Sequence, residues 1–255
     1  MNQYRLLSFN IRTQTTYDKD QQFIYRVDFL CDTIRALQAD VIGLQEMTPL
    51  MRGLMIERLP EFVFLGGGRD KERLGESAGI AVRQSRFLIE RVYSEMLSPT
   101  PEVPGSTYGG DQSGCPRVFT SCDLQPVEGG QAFRFMNIHT DHEGKNARRL
   151  EMEQLMRAYE EQQALRPLPT VITGDLNATP DASELAPLLA DPRFRDASAG
   201  LGGTFHDYDR RVEAEKIDYV CLTEEWQVLR AQLLHEKRGP LFLSDHDPVV
   251  VDAEV

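Results

Sequence analysis

The densest chemistry in the chain lies near its end, in Ser244-Asp245-His246-Asp247-Pro248, where an imidazole stands between two carboxylates. The apolar pattern Val249–Val255 follows, so the tripeptide reads as the mouth of a strand that ties down the terminus. Other polar residues share a comparable address, the end of an apolar strand or the turn after it. They are Asn10, Glu46, His139 with Asp141, and Asp175 with Asn177. Asp218 lies inside the apolar run Ile217–Leu222, where a charge is costly without a partner.

These residue types make up the parts of a metal-assisted phosphoester hydrolysis. Glu46, Asp245 and the amide oxygen of Asn10 are hard oxygen donors suited to Mg²⁺ or Mn²⁺. Asp175 and Asn177, two apart and so on one side of an extended segment, can orient a water. His246 paired with Asp218 makes an imidazole whose tautomer and charge a carboxylate sets. Taken one at a time, each has a plainer reading. Asn10, Asp175 and Asn177 are common turn formers, Glu46 can cap a helix, and a lone histidine is usually structural. Turns, however, need neither two histidines nor a carboxylate inside a buried strand. No His/Cys cluster has zinc-ligand spacing, no Ser or Cys nucleophile motif is present, and no Gly-rich phosphate loop occurs. Gly66-Gly67-Gly68 reads as a turn.

The elements that must position these groups follow from periodicity. Tyr4–Ile11 reads as an opening strand. Phe23, Val27, Leu30, Cys31, Ile34 and Leu37 repeat every 3.6 residues and predict an amphipathic helix over Gln22–Ala39. Asp40–Glu46 is a nearly continuous apolar run, as in a strand covered on both faces. Thr48 and Pro49 then suit the N-cap and first position of a helix reaching Leu59. The middle predicts strands at Phe62–Leu65, Ala78–Val82, Phe87–Val92, Val118–Leu124 and Phe133–His139, with Ser98–Gly114 a long surface loop. Lys145–Gln163 predicts a charged helix with Leu150, Leu155, Met156 and Tyr159 inward. Thr170–Thr173 is a short buried strand, and a small helix follows near Asp181–Ala190. Ile217–Leu222, Trp226–Leu234 and the terminal segment complete roughly ten strands and about four helices. Strands separated by helices need crossovers, which makes the chain α/β: two packed sheets flanked by helices.

Composition narrows the class. The 255 residues show no Pro/Gly/Ser-rich linker, which predicts one domain over 1–255. With 28 Lys+Arg against 40 Asp+Glu the net charge is -12, which argues against a broad electrostatic grip on nucleic acid or anionic lipid. Cys31, Cys115, Cys122 and Cys221 have no CxxC spacing and read as free thiols. The start has no basic region followed by an apolar one, and no apolar run suffices to span a bilayer. The expectation is a cytoplasmic protein with no membrane contact and no obligate protein partner.

Six segments occur in an order that resembles the endonuclease/exonuclease/phosphatase superfamily, the deoxyribonuclease-I-like fold. They are Ser8-Phe9-Asn10, Leu44-Gln45-Glu46, Asn137-Ile138-His139-Thr140-Asp141-His142, Gly174-Asp175-Leu176-Asn177, Lys216-Ile217-Asp218-Tyr219 and Ser244-Asp245-His246-Asp247-Pro248. The resemblance covers nearly the whole chain and implies a four-layer α/β/β/α sandwich of two mixed sheets. It implies that Glu46, Asn10 and Asp245 hold the divalent cation. Asp175 would activate the attacking water, with Asn177 helping to hold the phosphate. His246, oriented by Asp218, would stabilise the developing charge, and His139 would be the second imidazole. Glu76 is the carboxylate expected to orient His139. Arg117, Asp141, His142 and His206 are expected substrate contacts by their place beside the motifs.

Departures from the family's branches bear on substrate. Its abasic-site nucleases carry Trp-rich loops, and this chain has one Trp, in a predicted strand. Inositol-polyphosphate phosphatases have Cys-Asp-Arg where Ile217-Asp218-Tyr219 stands, and the secreted sphingomyelinases carry an export signal. The chain looks like the compact bacterial members with an Asn-x-His-x-Asp-His motif, which are similar to the deadenylase and nocturnin branch. The expected partner is therefore a small phosphorylated metabolite or nucleotide. The alternatives are a nuclease acting on DNA or RNA, and an inactive binding protein on the same fold.

Overall fold

The computed structural model describes residues 2–255. In chain order the elements are β1 (Gln3–Asn10), α1 (Phe23–Leu37), β2 (Val41–Met47), α2 (Pro49–Arg58), β3 (Phe62–Leu65), β4 (Ser77–Arg83), β5 (Phe87–Met96), β6 (Val118–Pro126) and β7 (Phe133–His139). Then come α3 (Lys145–Leu165), β8 (Thr170–Asp175), α4 (Ala186–Leu189), β9 (Phe194–Asp196), β10 (Asp218–Thr223), β11 (Gln227–Leu233), β12 (Lys237–Arg238), β13 (Leu241–Phe242) and β14 (Val249–Glu254). Local chemistry sets the helix limits. Thr48 Oγ1 accepts from the Met51 N–H with Pro49 in the first turn, and α1 ends on Gln38 in the left-handed conformation.

One sheet has the order β11-β14-β1-β2-β4-β3 and the other β5-β6-β7-β8-β10-β9. Both are mixed: β1 with β2 and β7 with β8 are parallel, joined across α1 and α3, and their other pairings are antiparallel. Strand alternation divides the core into three layers. Leu6, Val41, Phe133, Phe135, Val171, Val220 and Val251 pack between the sheets. Their neighbours Leu7, Ile42 and Val250 meet α1 and α2, while Met136, Ile172 and Cys221 meet α3. The result is the α/β/β/α sandwich.

Several readings shift in detail. Trp226 precedes β11 and is buried between the sheets against Tyr4 and Phe133, away from any loop that could engage a polymer. The 3₁₀ turn Thr16–Gln21, the three-residue β9 and the β12–β13 ribbon are too short to carry a readable period. On α3 the inward residues are Met152, Leu155, Met156 and Tyr159 together with Glu151, while Leu150 is only half-buried. All four cysteines are free, three of them buried.

A polar seam crosses the apolar layer between the sheets. Asn137 Nδ2 donates to the carbonyls of Leu44 (3.1 Å) and Gly79 (2.8 Å) in the opposite sheet. Its Oδ1 accepts from Gln45 Nε2 at 2.6 Å and Thr173 Oγ1 at 3.0 Å. The sheets approach so closely here that a Cβ on Gly43 would lie 2.1 Å from Thr173 Oγ1 and 2.5 Å from Asn137 Oδ1. Gly43→Ala is therefore expected to destabilise the protein by about 1–3 kcal/mol, the usual cost of overpacking a well-packed core. Urea denaturation checks this. An unchanged midpoint would show that the seam can yield.

Candidate active site

The register of the sheets gathers the polar strand ends at one end of the sandwich. Asn10 ends β1, His139 ends β7 and Asp175 ends β8. β10 and β14 run antiparallel to β8 and β1, so their starts lie at that same end. This puts Asp218 opposite Asp175 and brings Asp245 and His246, just before β14, beside Asn10. Glu46 gets there by a bulge, with the β2–β4 register shifting between Leu44 and Met47 and Glu46 itself left-handed at φ 65°. Such a kink re-aims a side chain out of the strand's alternation.

Asn10 is the hub. Its Nδ2 donates to Glu46 Oε1 (3.1 Å) and to Asp175 Oδ2 (2.8 Å), and its Oδ1 accepts from the Arg12 N–H at 3.0 Å. That backbone donor assigns the amide orientation: the oxygen turns to Arg12 and the NH₂ to the carboxylates. Asn10 thus joins the two acids through its NH₂, a positioning role, while the amide oxygen expected to be a metal donor is turned to the Arg12 N–H. Glu46 Oε2 accepts from the Thr13 N–H at 2.8 Å. Burial raises the Glu46 carboxyl, but Arg12, Thr13 and Asn10 outweigh it and hold the acid below its ordinary range.

His246 Nδ1 donates to Asp218 Oδ2 at 2.8 Å, and its Nε2 faces Asp175 Oδ2 at 3.8 Å. Burial opposes the imidazolium, but Asp218, Asp175 and Asp245 together push its pKa up to about 10. Asp175 is pushed up to about 7, by burial first and then by Asp218. His139, with Nε2 3.6 Å from Asp175 Oδ2, is driven well below the usual histidine value by burial and by Arg117 and Arg69. The cleft therefore holds one charged and one neutral imidazole on either side of a carboxyl that titrates near neutrality. Asn177, left-handed at φ 47°, takes up Asp175 Oδ1 with its N–H and donates from Nδ2 to the Thr140 carbonyl.

The donor set fits a divalent cation. Glu46, Asp175, Asp218 and Asp245 bring four carboxyl groups against the His246 imidazolium and Arg12, which is shared with Asp18, while Arg69, Arg117 and Arg211 face Glu76, Asp141 and Glu215. Arg12 Nε stands 3.6 Å from Asp245 Oδ2, and burial together with Glu46 raises the Asp245 carboxyl. Excess negative charge on hard oxygen donors suits Mg²⁺ or Mn²⁺ held between Glu46 and Asp245.

Glu46, His139, Asp175, Asn177, Asp245 and His246 line a cleft of about 440 Å³, together with Arg69, Arg117, His142, Phe205 and Arg211. Arg117 is 2% exposed; its Nη2 pairs with His142 Nδ1 at 2.8 Å and its Nε stands 3.6 Å from the buried Asp141 Oδ2. The Phe205 ring lies between the His246 ring (4.8 Å) and the Arg211 guanidinium (4.4 Å). Sequence reading missed Arg12, Arg69, Phe205 and Arg211, although Phe205 adjoins the His206 it singled out; no local pattern marks them.

Two expected substrate contacts, Asp141 and His206, stand outside the cleft lining, and Glu76 lies within it without the role expected of it. Asp141 is fully buried and accepts from the N–H groups of Ser113, Glu143 and Gly144 and from Ser113 Oγ, so it anchors the start of α3. His206 is turned away from the cleft, with Nε2 toward Asp247 at 3.3 Å. Glu76 lines the cleft, but its carboxylate pairs with Arg69 at 2.9 Å in place of orienting His139.

A family model described as "Endonuclease/Exonuclease/phosphatase family" matches residues 7–246. No curated protein matches the chain. Among solved structures, the endonuclease/exonuclease/phosphatase from Bacteroides vulgatus is 29% identical, with a TM-score of 0.92 and 100% of both chains covered. A mannosyl-6-phosphatase of Bacteroides thetaiotaomicron is 25% identical, with a TM-score of 0.90 over 99% of this chain and 100% of that one. D. rerio TDP2, solved with a single strand DNA product, shares 17% identity at a TM-score of 0.74, with 100% of both chains covered, and shows likeness of fold alone.

The segment that carries Asp141 rests on Glu151, whose Oε2 accepts from the Asp141 N–H at 2.8 Å and whose carboxyl burial pushes up to about 7. With the folded value above the unfolded one, the stabilising contribution is complete below pH ~4.5 and is lost as pH rises through about 7. That loss amounts to up to about 3 kcal/mol between pH 5 and 8. Glu151→Gln is expected to flatten this part of the stability profile, read from urea midpoints at the two pH values. Parallel profiles for wild type and variant would refute the assignment.

Proposed function

The chain belongs to the endonuclease/exonuclease/phosphatase family, and from that premise we propose that it hydrolyses a phosphoester of a small soluble metabolite, with a divalent cation as cofactor. The observation that carries this reading is the buried constellation itself: the His246–Asp218 pair and His139 face Asp175, which Asn10 joins to Glu46.

The cation would be held by Glu46 and Asp245, and when bound it supplies Lewis-acid polarisation of a phosphoryl oxygen and neutralises charge. Asp175 orients the attacking water and takes its proton at a carboxylate oxygen, a task suited to a group titrating near 7. His246 presents a protonated Nε2 whose hydrogen bond to a phosphoryl oxygen strengthens as charge develops there. Asp218 keeps that ring charged and fixed at Nδ1. His139, neutral, adds a hydrogen bond from the other side, Asn177 helps hold the phosphate, and Arg117 in the cleft wall adds positive charge beside it.

A small substrate is supported by the cleft of about 440 Å³, the size of a metabolite site, and by the net charge of -12. The similar mannosyl-6-phosphatase places sugar phosphates first among the compounds to try. A polymer would need a longer basic track.

Purified protein with Mn²⁺, assayed against sugar phosphates, nucleotides and oligonucleotides, is expected to turn over phosphorylated metabolites. EDTA should abolish the activity, and His246→Ala should lower kcat by roughly 10²–10³-fold or more. Activity confined to oligonucleotides, or none on any compound, would overturn the proposal.

A further inference from the structure

His206, turned away from the cleft, belongs to a second cluster of ionisable side chains. One donor atom from each of His206, Asp209 and His235 lies within 4.8 Å of the other two. Asp209 Oδ1 stands 3.6 Å from His206 Nδ1 and 3.5 Å from His235 Nε2. On the far side of both rings, Asp247 Oδ1 lies 3.3 Å from His206 Nε2 and 2.9 Å from His235 Nδ1. The rings are 5.0 Å apart and inclined at 76°.

The hydrogen bonds set the tautomers. The Asp209 N–H donates to His206 Nδ1 at 3.2 Å, so that nitrogen carries a lone pair and the ring proton sits on Nε2, toward Asp247. His235 Nδ1 is within hydrogen-bond distance of both Asp247 oxygens, which favours the neutral tautomer with its proton there and its lone pair on Nε2. In these neutral tautomers two imidazole lone pairs and a carboxylate oxygen converge with no proton between them. That arrangement is repulsive by itself and attractive around a cation.

The spacing agrees. Metal–ligand bonds of about 2.0–2.2 Å in a tetrahedron put neighbouring donors roughly 3.4 Å apart. Lys237 takes the other oxygen of Asp209, Oδ2, and leaves Oδ1 to the imidazoles. Asp207, Tyr208 and Asp209 are all left-handed (φ 49°, 55° and 60°), three non-glycine residues in a row in a conformation that persists only where the surroundings over-determine it.

We infer that His206, Asp209 and His235 form a second divalent-metal site, for a cation of the Zn²⁺ class, with Asp247 as the outer carboxylate that fixes both rings. Nitrogen donors separate it from the oxygen-rich set at Glu46 and Asp245. Its place in the fold gives it a task. The N–H groups of His206 and Asp207 both donate to the Asp245 carbonyl (3.0 and 3.1 Å), and the Asp247 N–H donates to the Thr204 carbonyl at 2.8 Å. A metal here clamps the segment that carries Asp245 and His246. Asp209 and the His235 side chain are partly exposed, so an ion can enter from solvent.

The test is a Zn²⁺ titration of the metal-stripped full chain in saturating Mg²⁺, followed by calorimetry and by the thermal midpoint. Wild type is expected to bind one Zn²⁺ with micromolar affinity or better and to melt higher with it. His235→Ala, and Asp209→Asn, which keeps a residue at ease in the left-handed region, are expected to lose affinity by more than the roughly 10–100-fold that removal of an outer partner costs. Both should keep their Mg²⁺-dependent hydrolysis. No Zn²⁺ bound by wild type, or the same stoichiometry and affinity in both variants, overturns the inference.

Discussion

Asn137 is buried between the two sheets with both of its N–H bonds and both oxygen lone pairs engaged. A fully satisfied amide in an apolar layer tolerates little displacement, because any slip of one sheet against the other leaves a buried polar group unpaired. The seam lies one strand step below the active site. Asn137 pairs with Thr173 across β7 and β8, and two residues on, on the same faces, His139 pairs with Asp175. In the other sheet Ser8 pairs with Gly43, and Asn10 follows two residues after Ser8. Holding the lower layer in register therefore holds the upper one.

The upper layer is a problem of charge. Four carboxylates and two histidines share a space with little water, and the protein separates their protonation states by neighbourhood. Asp218 makes His246 a cation, burial helped by Arg117 and Arg69 makes His139 neutral, and Asp175 between them titrates near 7. None of these states belongs to a residue by itself; exchanging neighbours would exchange roles.

Legibility in the sequence followed the same division. Strands and helices could be read because burial repeats at 2.0 or 3.6 residues, and that repetition placed β1, β2, β7, β8 and α1 within a few residues of their observed limits. The catalytic candidates could be read because polar residues at the ends of apolar strands contradict that repetition. His206 and Asp141 broke the pattern too, yet one faces a second cluster and the other anchors α3. Position in the chain does not say which way a strand-end residue turns. Arg12, Arg69 and Arg211 were invisible, since an arginine in a polar loop contradicts nothing.

The sequence by itself determined the fold class, the family, and the residues Asn10, Glu46, His139, Asp175, Asp218, Asp245 and His246 as a set, because each is marked by its local context. Tertiary structure alone decided their pairings: Asn10 between Glu46 and Asp175, Glu76 on Arg69, and His206 with His235. These contacts join segments far apart in the chain, and their geometry depends on sheet register and on a bulge at Glu46. Neither leaves a periodic trace, since register is set by the packing of whole layers and the bulge by a single left-handed residue.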